Sequence, residues 1–152
     1  ASEPGDFVDK EGKVLGKHKG QIHYTIGQRR GLGISAPESL YVCGKSLDTN
    51  KVILGGKDDL MSNYCYINDI NLIPWNHLDK PIQCKVKTRY RQPEQPATVE
   101  QLGDDLIKIT FQEPQRAVTP GQAAVLYDGD MVLGGGTILS EEAAAKAVAS
   151  TN

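Results

Sequence analysis

The chain has 152 residues, a formal net charge of −2 and 39% hydrophobic residues, which fits a soluble protein of one domain or two small ones. No apolar run approaches the roughly 20 residues that a membrane-spanning helix needs, so the sequence predicts no membrane partner. The start, Ala1–Asp6, lacks the basic and apolar regions of a signal peptide, and we expect it to follow a cut between domains.

Strand patterns dominate the chain, and turn residues interrupt them about every ten residues. A hairpin is predicted from Leu40–Ser46 and Lys51–Leu54, which flank Leu47–Asn50. Further strands are predicted, in chain order, at Tyr64–Ile73, Ile82–Arg91, Ala97–Leu102, Leu106–Gln112, Gln122–Tyr127 and Met131–Leu133. The second to fourth of these form a predicted meander. The pattern predicts an all-β fold of two small β-barrel-like modules.

Two shorter segments are candidates for helix. Residues 20–30 fit a short helical segment, although Ile22, Tyr24 and Ile26 also alternate as in a strand. Ser140 can cap a helix over the alanine-rich run that follows it, but about ten residues form a stable helix only when they dock on something.

A seam between modules is predicted where two prolines flank a polar segment, at Pro74 and Pro81. We therefore predict one module at residues 1–75, a second at 76–139, and a tail at 140–152 that is helical or disordered.

The three cysteines, Cys43, Cys65 and Cys84, are far apart, form no Cys-x-x-Cys motif and lie in strand-like runs. This pattern favours free, packed cysteines in a reducing cytoplasm, with a catalytic thiol or a metal ligand as the alternative. The three histidines show no metal-binding spacing with them, so no metal site is predicted.

The glycine run Gly134–Gly136 is a candidate phosphate loop. No Lys-Ser/Thr pair and no helix pattern follow it, so a β-bulge or close backbone packing is the better prediction. The sequence therefore predicts no cofactor site in this chain, and it contains no motif that indicates a catalytic residue.

Basic residues are concentrated in two windows that contain no acidic residue, Gly16–Ile34 and Pro81–Gln92. These windows hold eight of the 17 basic residues of the chain, whereas the remainder of the chain holds all 19 acidic residues. This segregation favours an anionic partner; the alternative is two solvated faces that acidic residues on other strands neutralise.

The second window places four basic residues at alternating positions, Lys85, Lys87, Arg89 and Arg91. In a strand they would form one positive ridge with charges about 6.6 Å apart, close to the spacing of backbone phosphates. Cross-strand acids such as Glu100 could instead neutralise this face, and both interpretations stay open.

A tight turn is predicted at Thr119–Gln122, because proline and glycine occupy the two central positions of a type II turn. Gln122 would then emerge at the rim of a barrel, where an amide can hydrogen-bond RNA. From composition alone, an ordinary surface residue is the competing interpretation.

Four motifs in this order resemble those of the tRNA-specific 2-thiouridylases: His18–Ile34, Val86–Gln92, Thr119–Ala123 and Leu133–Ile138. The resemblance extends over roughly residues 5–138 and covers only the central and carboxy-terminal β modules of the family. It implies an enzyme that thiolates C2 of the tRNA wobble uridine with ATP and a cysteine persulfide. The nucleotide loop and both catalytic cysteines of the family lie upstream of this part, so no catalytic residue is carried over and this chain alone is predicted to be inactive.

The resemblance implies that tRNA contacts Arg89, Tyr90 and Gln122. A regular strand would place Arg89 and Tyr90 on opposite faces, so we expect a strand end or a bulge there. Arg29 and Arg30 are predicted to help place the tRNA, with a purely structural connector as the alternative. The implied partners are tRNA, the catalytic domain and a sulfur-donor protein.

Two other classes of function remain open at this point. The chain could be an independent barrel that binds nucleic acid, or an interaction module that docks a catalytic domain or a sulfur donor. The order of the motifs favours the tRNA-positioning function.

Overall fold

In the computed structural model, which describes residues 2–151, the chain divides into two compact units, Ala1–Met61 and Ser62–Asn152. Strands form most of the regular structure, so the predicted mostly β fold is confirmed. The boundary lies earlier than the predicted one after residue 75, because the strand Met61–Leu72 pairs within the second unit. The predicted seam at Pro74 and Pro81 is a connection inside that unit.

Four strands form the sheet of the first unit: β1 (Gly5–Val8), β2 (Val14–His18), β3 (Tyr41–Ser46) and β4 (Lys51–Gly55). Their order is β2-β1-β4-β3, with β1 parallel to β4 and the other neighbours antiparallel. The predicted hairpin is thus confirmed as β3 and β4.

The core of the first unit is formed by Phe7, Val42, Val52 and Leu54, which are fully buried. Val52 and Leu54 alternate along β4, as expected for a strand with one buried face. A 3₁₀ turn at Gln21–His23 confirms the helical segment predicted within residues 20–30.

The second unit is a closed barrel of six strands in the order β10-β5-β8-β7-β6-β9. The strands are β5 (Met61–Leu72), β6 (Ile82–Lys87), β7 (Gln95–Gly103), β8 (Leu106–Arg116), β9 (Ala123–Asp128) and β10 (Met131–Ile138). Strands β6, β7 and β8 form the predicted meander. Closure pairs β10 with β5, so no strand of the barrel is left as an edge.

Along each strand, side chains alternate between the barrel interior and its outer surface. The inward-facing side chains fill the interior, as is typical of a small closed barrel. The innermost side chains are Val86, Val99, Ile107, Ile109 and Leu126. Their polar neighbours in sequence face solvent.

The glycine run of β10 lies between β9 and β5, where the backbones approach closely. A Cβ atom at Gly134, Gly135 or Gly136 would lie 2.1, 2.2 or 2.5 Å from a backbone oxygen of Asn71, Ala124 or Asn68. The register of β10 also shifts on both sides of this run. The predicted bulge and close packing are confirmed.

Strand β6 is shorter than the predicted strand Ile82–Arg91. It ends at Lys87, and a hydrogen bond of 3.3 Å from the Gln92 N–H to the Arg89 carbonyl closes a turn after it. Pro93, which has no N–H to donate to a ladder, follows this turn. The chain leaves the strand before Arg89 and Tyr90, so the expected strand end is confirmed.

The tail contains one helix, α1 (Glu141–Ser150), which makes the helical alternative of the prediction correct. The Ser140 hydroxyl accepts a 3.1 Å hydrogen bond from the Ala143 N–H, which is the predicted cap. Ala144 is buried, and a Cβ atom at Gly103 would lie 2.9 Å from Thr151, so the helix docks near the β7–β8 turn. Within residues 2–151, no helix is long and apolar enough to cross a membrane.

Candidate nucleic-acid interface

The segment between β8 and β9 crosses one end of the barrel, because these two strands are not neighbours in the sheet. We call residues 117–122 the mouth loop. Val118 packs against the barrel core from this loop. The Gly121 N–H donates to the Ile138 carbonyl at 2.8 Å, and the Ile138 N–H donates to the Gln122 carbonyl at 2.9 Å. The end of β10 therefore holds the loop in place.

Arg89 holds the opposite end of the mouth loop. Its Nη2 atom donates a 2.9 Å hydrogen bond to the Ala117 carbonyl, which also accepts one of 2.9 Å from the Thr119 hydroxyl. Ala117 is 1% exposed and has a φ angle of 51°, in the left-handed region that alanine rarely adopts. Such a conformation persists only where its surroundings determine it, as these two hydrogen bonds do here.

The turn that presents Gln122 has the predicted form. Gly121 has a φ angle of 87°, which the third position of a type II turn requires, and the Gln122 N–H donates to the Thr119 carbonyl at 3.2 Å. The Gln122 side chain is exposed. The amide is therefore available to a ligand while its backbone is fixed on both sides.

Tyr90 is 90% exposed, and the Lys87 ammonium lies 5.8 Å from its ring centroid. A core role for Tyr90 is thus excluded. A regular strand would have placed Arg89 and Tyr90 on opposite faces. Both residues instead lie in the turn after β6, so both can contact the same ligand.

The strand register brings this turn close to the mouth loop. On β6 and β9, Lys85 pairs with Tyr127 and Lys87 pairs with Val125. The turn that follows Lys87 and the residue Gln122, just before β9, therefore lie at the same end of the barrel. We call Arg89, Tyr90 and Gln122 the rim patch, because all three lie at the same end of the barrel.

Only part of the predicted basic ridge lies on a strand. Lys85 and Lys87 flank the buried Val86 and point outward from β6, whereas Arg89 and Arg91 lie in the turn. Glu100 follows Val99, the register partner of Ile82, and therefore lies at the other end of β6 from Lys85 and Lys87. In the part of the chain that the structure describes, none of the four basic side chains forms an ion pair.

The glycine-rich motif of the first unit contains a buried half that stabilises the fold. His18 is buried, with Nε2 at 2.8 Å from the Asn50 carbonyl and Nδ1 accepting from the Gly20 N–H at 3.0 Å. The Gln21 amide donates to the Ser46 carbonyl at 2.7 Å, at the end of the β3–β4 hairpin. Packing and hydrogen bonding are sufficient to explain why histidine and glutamine occupy these two positions.

The exposed half of the same motif carries its charge. Arg29 and Arg30 are exposed and line a pocket of about 620 Å³ that the following loop forms. Lys17, from the same window, is instead paired with Asp6, and this hydrogen bond lowers the pKa of the Asp6 carboxyl. Arg29 and Arg30, together with the exposed Lys19, remain as the candidates of this window for an anionic partner.

The cysteines are not activated. Burial raises the pKa of the Cys43 and Cys84 thiols to about 11 and that of the Cys65 thiol to about 12. A thiolate is the nucleophilic form, so these groups are unreactive near neutral pH. Among residues 2–151 there is no group of three or more His, Cys, Asp or Glu side chains that could hold a metal ion.

One basic residue at the rim of the barrel was not identified from the sequence. Arg116 is exposed, ends β8 and directly precedes the mouth loop. It lies outside both acid-free windows, with Glu113 close by in sequence. Its proximity to the motif Thr119–Gln122 was the signal that could have identified it.

Each of the two structural units matches a known protein family. The family described as aminomethyltransferase beta-barrel domain matches residues 62–138, and the family described as tRNA methyl transferase PRC-barrel domain matches residues 1–56. The two matched ranges agree with the two structural units.

The curated proteins to which the chain is similar include several tRNA-specific 2-thiouridylases. The chain is 46% identical over 90% of its length to the tRNA-specific 2-thiouridylase MnmA of Clostridioides difficile, and 49% identical over 92% to that of Picosynechococcus sp.. It is also 46% identical over 88% to the tRNA-specific 2-thiouridylase MnmA 2 of Clostridium botulinum. These alignments cover 38%, 40% and 38% of the relatives, so the chain spans about two fifths of their length. The chain belongs to the tRNA-specific 2-thiouridylase family, of which it carries the two β modules.

Proposed function

We propose that this chain is the tRNA-binding and tRNA-positioning part of an enzyme that replaces the C2 oxygen of the wobble uridine with sulfur. The name of the relatives supports the reaction and the substrate. In the full-length enzyme, ATP activates the oxygen and a cysteine persulfide supplies the sulfur. The catalytic domain and a sulfur-donor protein are then its protein partners.

The observation that carries the proposal is the convergence of the rim patch. The Arg89 guanidinium uses Nη2 for the Ala117 carbonyl, which leaves its other N–H donors for a phosphate or a ribose. The exposed ring of Tyr90 can stack on a base, and the Gln122 amide can hydrogen-bond a 2′-hydroxyl or a base edge. These three contacts are complementary, because each addresses a different part of a nucleotide.

Lys85, Lys87 and Arg91 extend this surface with positive charge that no acid of the described chain neutralises. Contacts with phosphates fix the register of an RNA without reading its sequence. The hydrogen bonds that hold the mouth loop reduce the ordering cost of binding, since Gln122 is already in place. The surface is suited to holding tRNA in a defined position.

The chemical step is assigned outside this chain. The sequence contains no Ser-Gly-Gly-x-Asp-Ser nucleotide loop, and the one glycine run is filled by neighbouring backbone. The three thiols have raised pKa values and are protonated near neutral pH. We therefore assign no residue of this chain to ATP or to sulfur transfer.

We also propose a cytoplasmic location. Free cysteines, of which the chain has three, are typical of a reducing compartment, and tRNA is the proposed substrate.

Two measurements on the 152-residue chain test the proposal. Unmodified tRNA labelled with a fluorophore is titrated with the chain, and the same chain is incubated with tRNA, ATP and a sulfur source. Binding without formation of 2-thiouridine is the expected result. Absence of binding at low salt would refute the positioning function, and 2-thiouridine above background would show that the chain contains an active site.

A further inference from the structure

Arg116 is exposed and lies directly before the mouth loop. It lies between Gln115, which is 8% exposed, and Ala117, which is 1% exposed. Because both neighbours point into the protein, the side chain between them points into solvent. Arg116 is the last residue of β8, at the end of the barrel that the mouth loop crosses.

Arg89 contacts the mouth loop one residue after Arg116. The Arg89 Nη2 atom lies 2.9 Å from the carbonyl oxygen of Ala117, the residue that follows Arg116 in the chain. The left-handed φ angle of Ala117 and its second hydrogen bond, from Thr119, fix this corner. The turn after β6, which carries Arg89, and the last residue of β8, Arg116, thus lie at the same end of the barrel.

Neither arginine has an acidic partner among the described residues. Positive side chains that lie at one end of the barrel without an ion pair attract an anion. Guanidinium groups prefer phosphate oxygens, which they bind with planar, directional hydrogen bonds.

We propose that Arg116 is a further phosphate-binding residue for tRNA and that it acts together with Arg89 at the base of the mouth loop. This inference rests on the proposed tRNA-positioning function and adds a contact to the same surface. Arg116 and Arg89 hold the RNA backbone on the β8 side of the rim patch, while Lys85 and Lys87 hold it along β6.

The test compares Arg116→Ala and Arg116→Lys with the wild-type chain in tRNA titrations over a range of salt concentrations. Arg116→Ala weakens binding about 10-fold and lowers the slope of log K against log salt by about 0.9, the share of one phosphate contact. Arg116→Lys keeps the slope, because it keeps the charge, but loses part of the affinity.

Lys80→Ala is the matched control. Lys80 is exposed and precedes β6, so it lies at the end of the barrel opposite to the mouth loop. This variant leaves both affinity and slope at wild-type values. Thermal melting of all variants shows whether the fold is intact, since an exposed side chain contributes little to stability.

The outcomes separate this inference from the proposed function. If wild-type chain binds tRNA and responds to Tyr90→Ala, but Arg116→Ala changes neither affinity nor salt slope, Arg116 is a solvated residue and only the further inference fails. If wild-type chain does not bind tRNA at all, the proposed function fails with it.

Discussion

The guanidinium of Arg89 and the carbonyl of Ala117, 28 positions apart in the sequence, are joined by a hydrogen bond of 2.9 Å. This bond links the turn after β6 to the mouth loop that presents Gln122. The rim patch is therefore one structural unit.

Arg89→Ala should loosen the mouth loop as well as remove a charge. The Ala117 carbonyl would keep only the Thr119 hydroxyl, at a cost of about 1 kcal/mol. We expect faster hydrogen exchange at the Gly121 N–H, whose bond to the Ile138 carbonyl depends on the position of the loop. Arg91→Ala, on the same turn, is the control and should leave this exchange rate unchanged. Equal exchange in Arg89→Ala and wild type would show that the bond does not hold the loop.

Tyr90→Ala should weaken tRNA binding by roughly 5- to 150-fold, the scale of one lost base stack of about 1–3 kcal/mol. The melting temperature should stay close to wild type, because the ring is 90% exposed. Tyr64→Ala is the matched control, since Tyr64 is 52% exposed on β5, across the barrel from β6. A lower melting temperature with unchanged affinity in Tyr90→Ala would contradict a stacking role.

The double variant Lys85→Glu, Lys87→Glu should weaken binding to different RNA sequences by similar factors. It should also make log K less steep against log salt, by on the order of one unit for each lost phosphate contact. The double variant Lys13→Glu, Lys57→Glu, which changes two exposed lysines of the first unit, serves as the charge-matched control. An unchanged salt slope in the double variant would identify the ridge as an ordinary solvated face.

Replacement of Arg29 and Arg30 by Ala tests the basic half of the glycine-rich motif in the full-length enzyme. Because both side chains are exposed, we expect lower tRNA affinity and slower thiolation with little change in melting temperature. Lys13→Ala, also exposed in the first unit, is the control. Wild-type affinity and thiolation in the double variant would leave the motif a structural role alone.

Much of the local structure could be predicted because it depends on neighbouring residues. The hairpin turn at Leu47–Asn50, the turn at Thr119–Gln122 and the cap at Ser140 are each determined within a few positions. The interior faces of the strands follow from alternation. These predictions needed no knowledge of the partner strands.

The remainder depends on contacts that are distant in sequence. The Arg89 side chain after β6 binds the Ala117 carbonyl, and no local pattern marks that partner. Pairing of β5 with β10 assigned residues 62–72 to the second unit and moved the boundary from its predicted place. Arg116 reaches the rim through the same loop crossing, which only the order of strands reveals.

The thiols should behave as packed, protonated groups. Since burial raises the pKa of Cys65 to about 12 and those of Cys43 and Cys84 to about 11, the reactive thiolate is scarce below these values. We expect alkylation by iodoacetamide, followed by mass spectrometry, to be slow from pH 7 to pH 9 and fast only after unfolding in denaturant. Rapid modification of any of the three at neutral pH would indicate an activated thiol.

The position of bound RNA on the barrel is measured most directly by NMR of the isotopically labelled 16.5 kDa chain during titration with unmodified tRNA. The rim patch predicts that resonances of residues 87–91 and 116–122 shift or broaden first, whereas those of Tyr64, Tyr66 and Lys108, on the opposite wall, do not. Changes centred on that opposite wall, with the mouth loop unaffected, would contradict it.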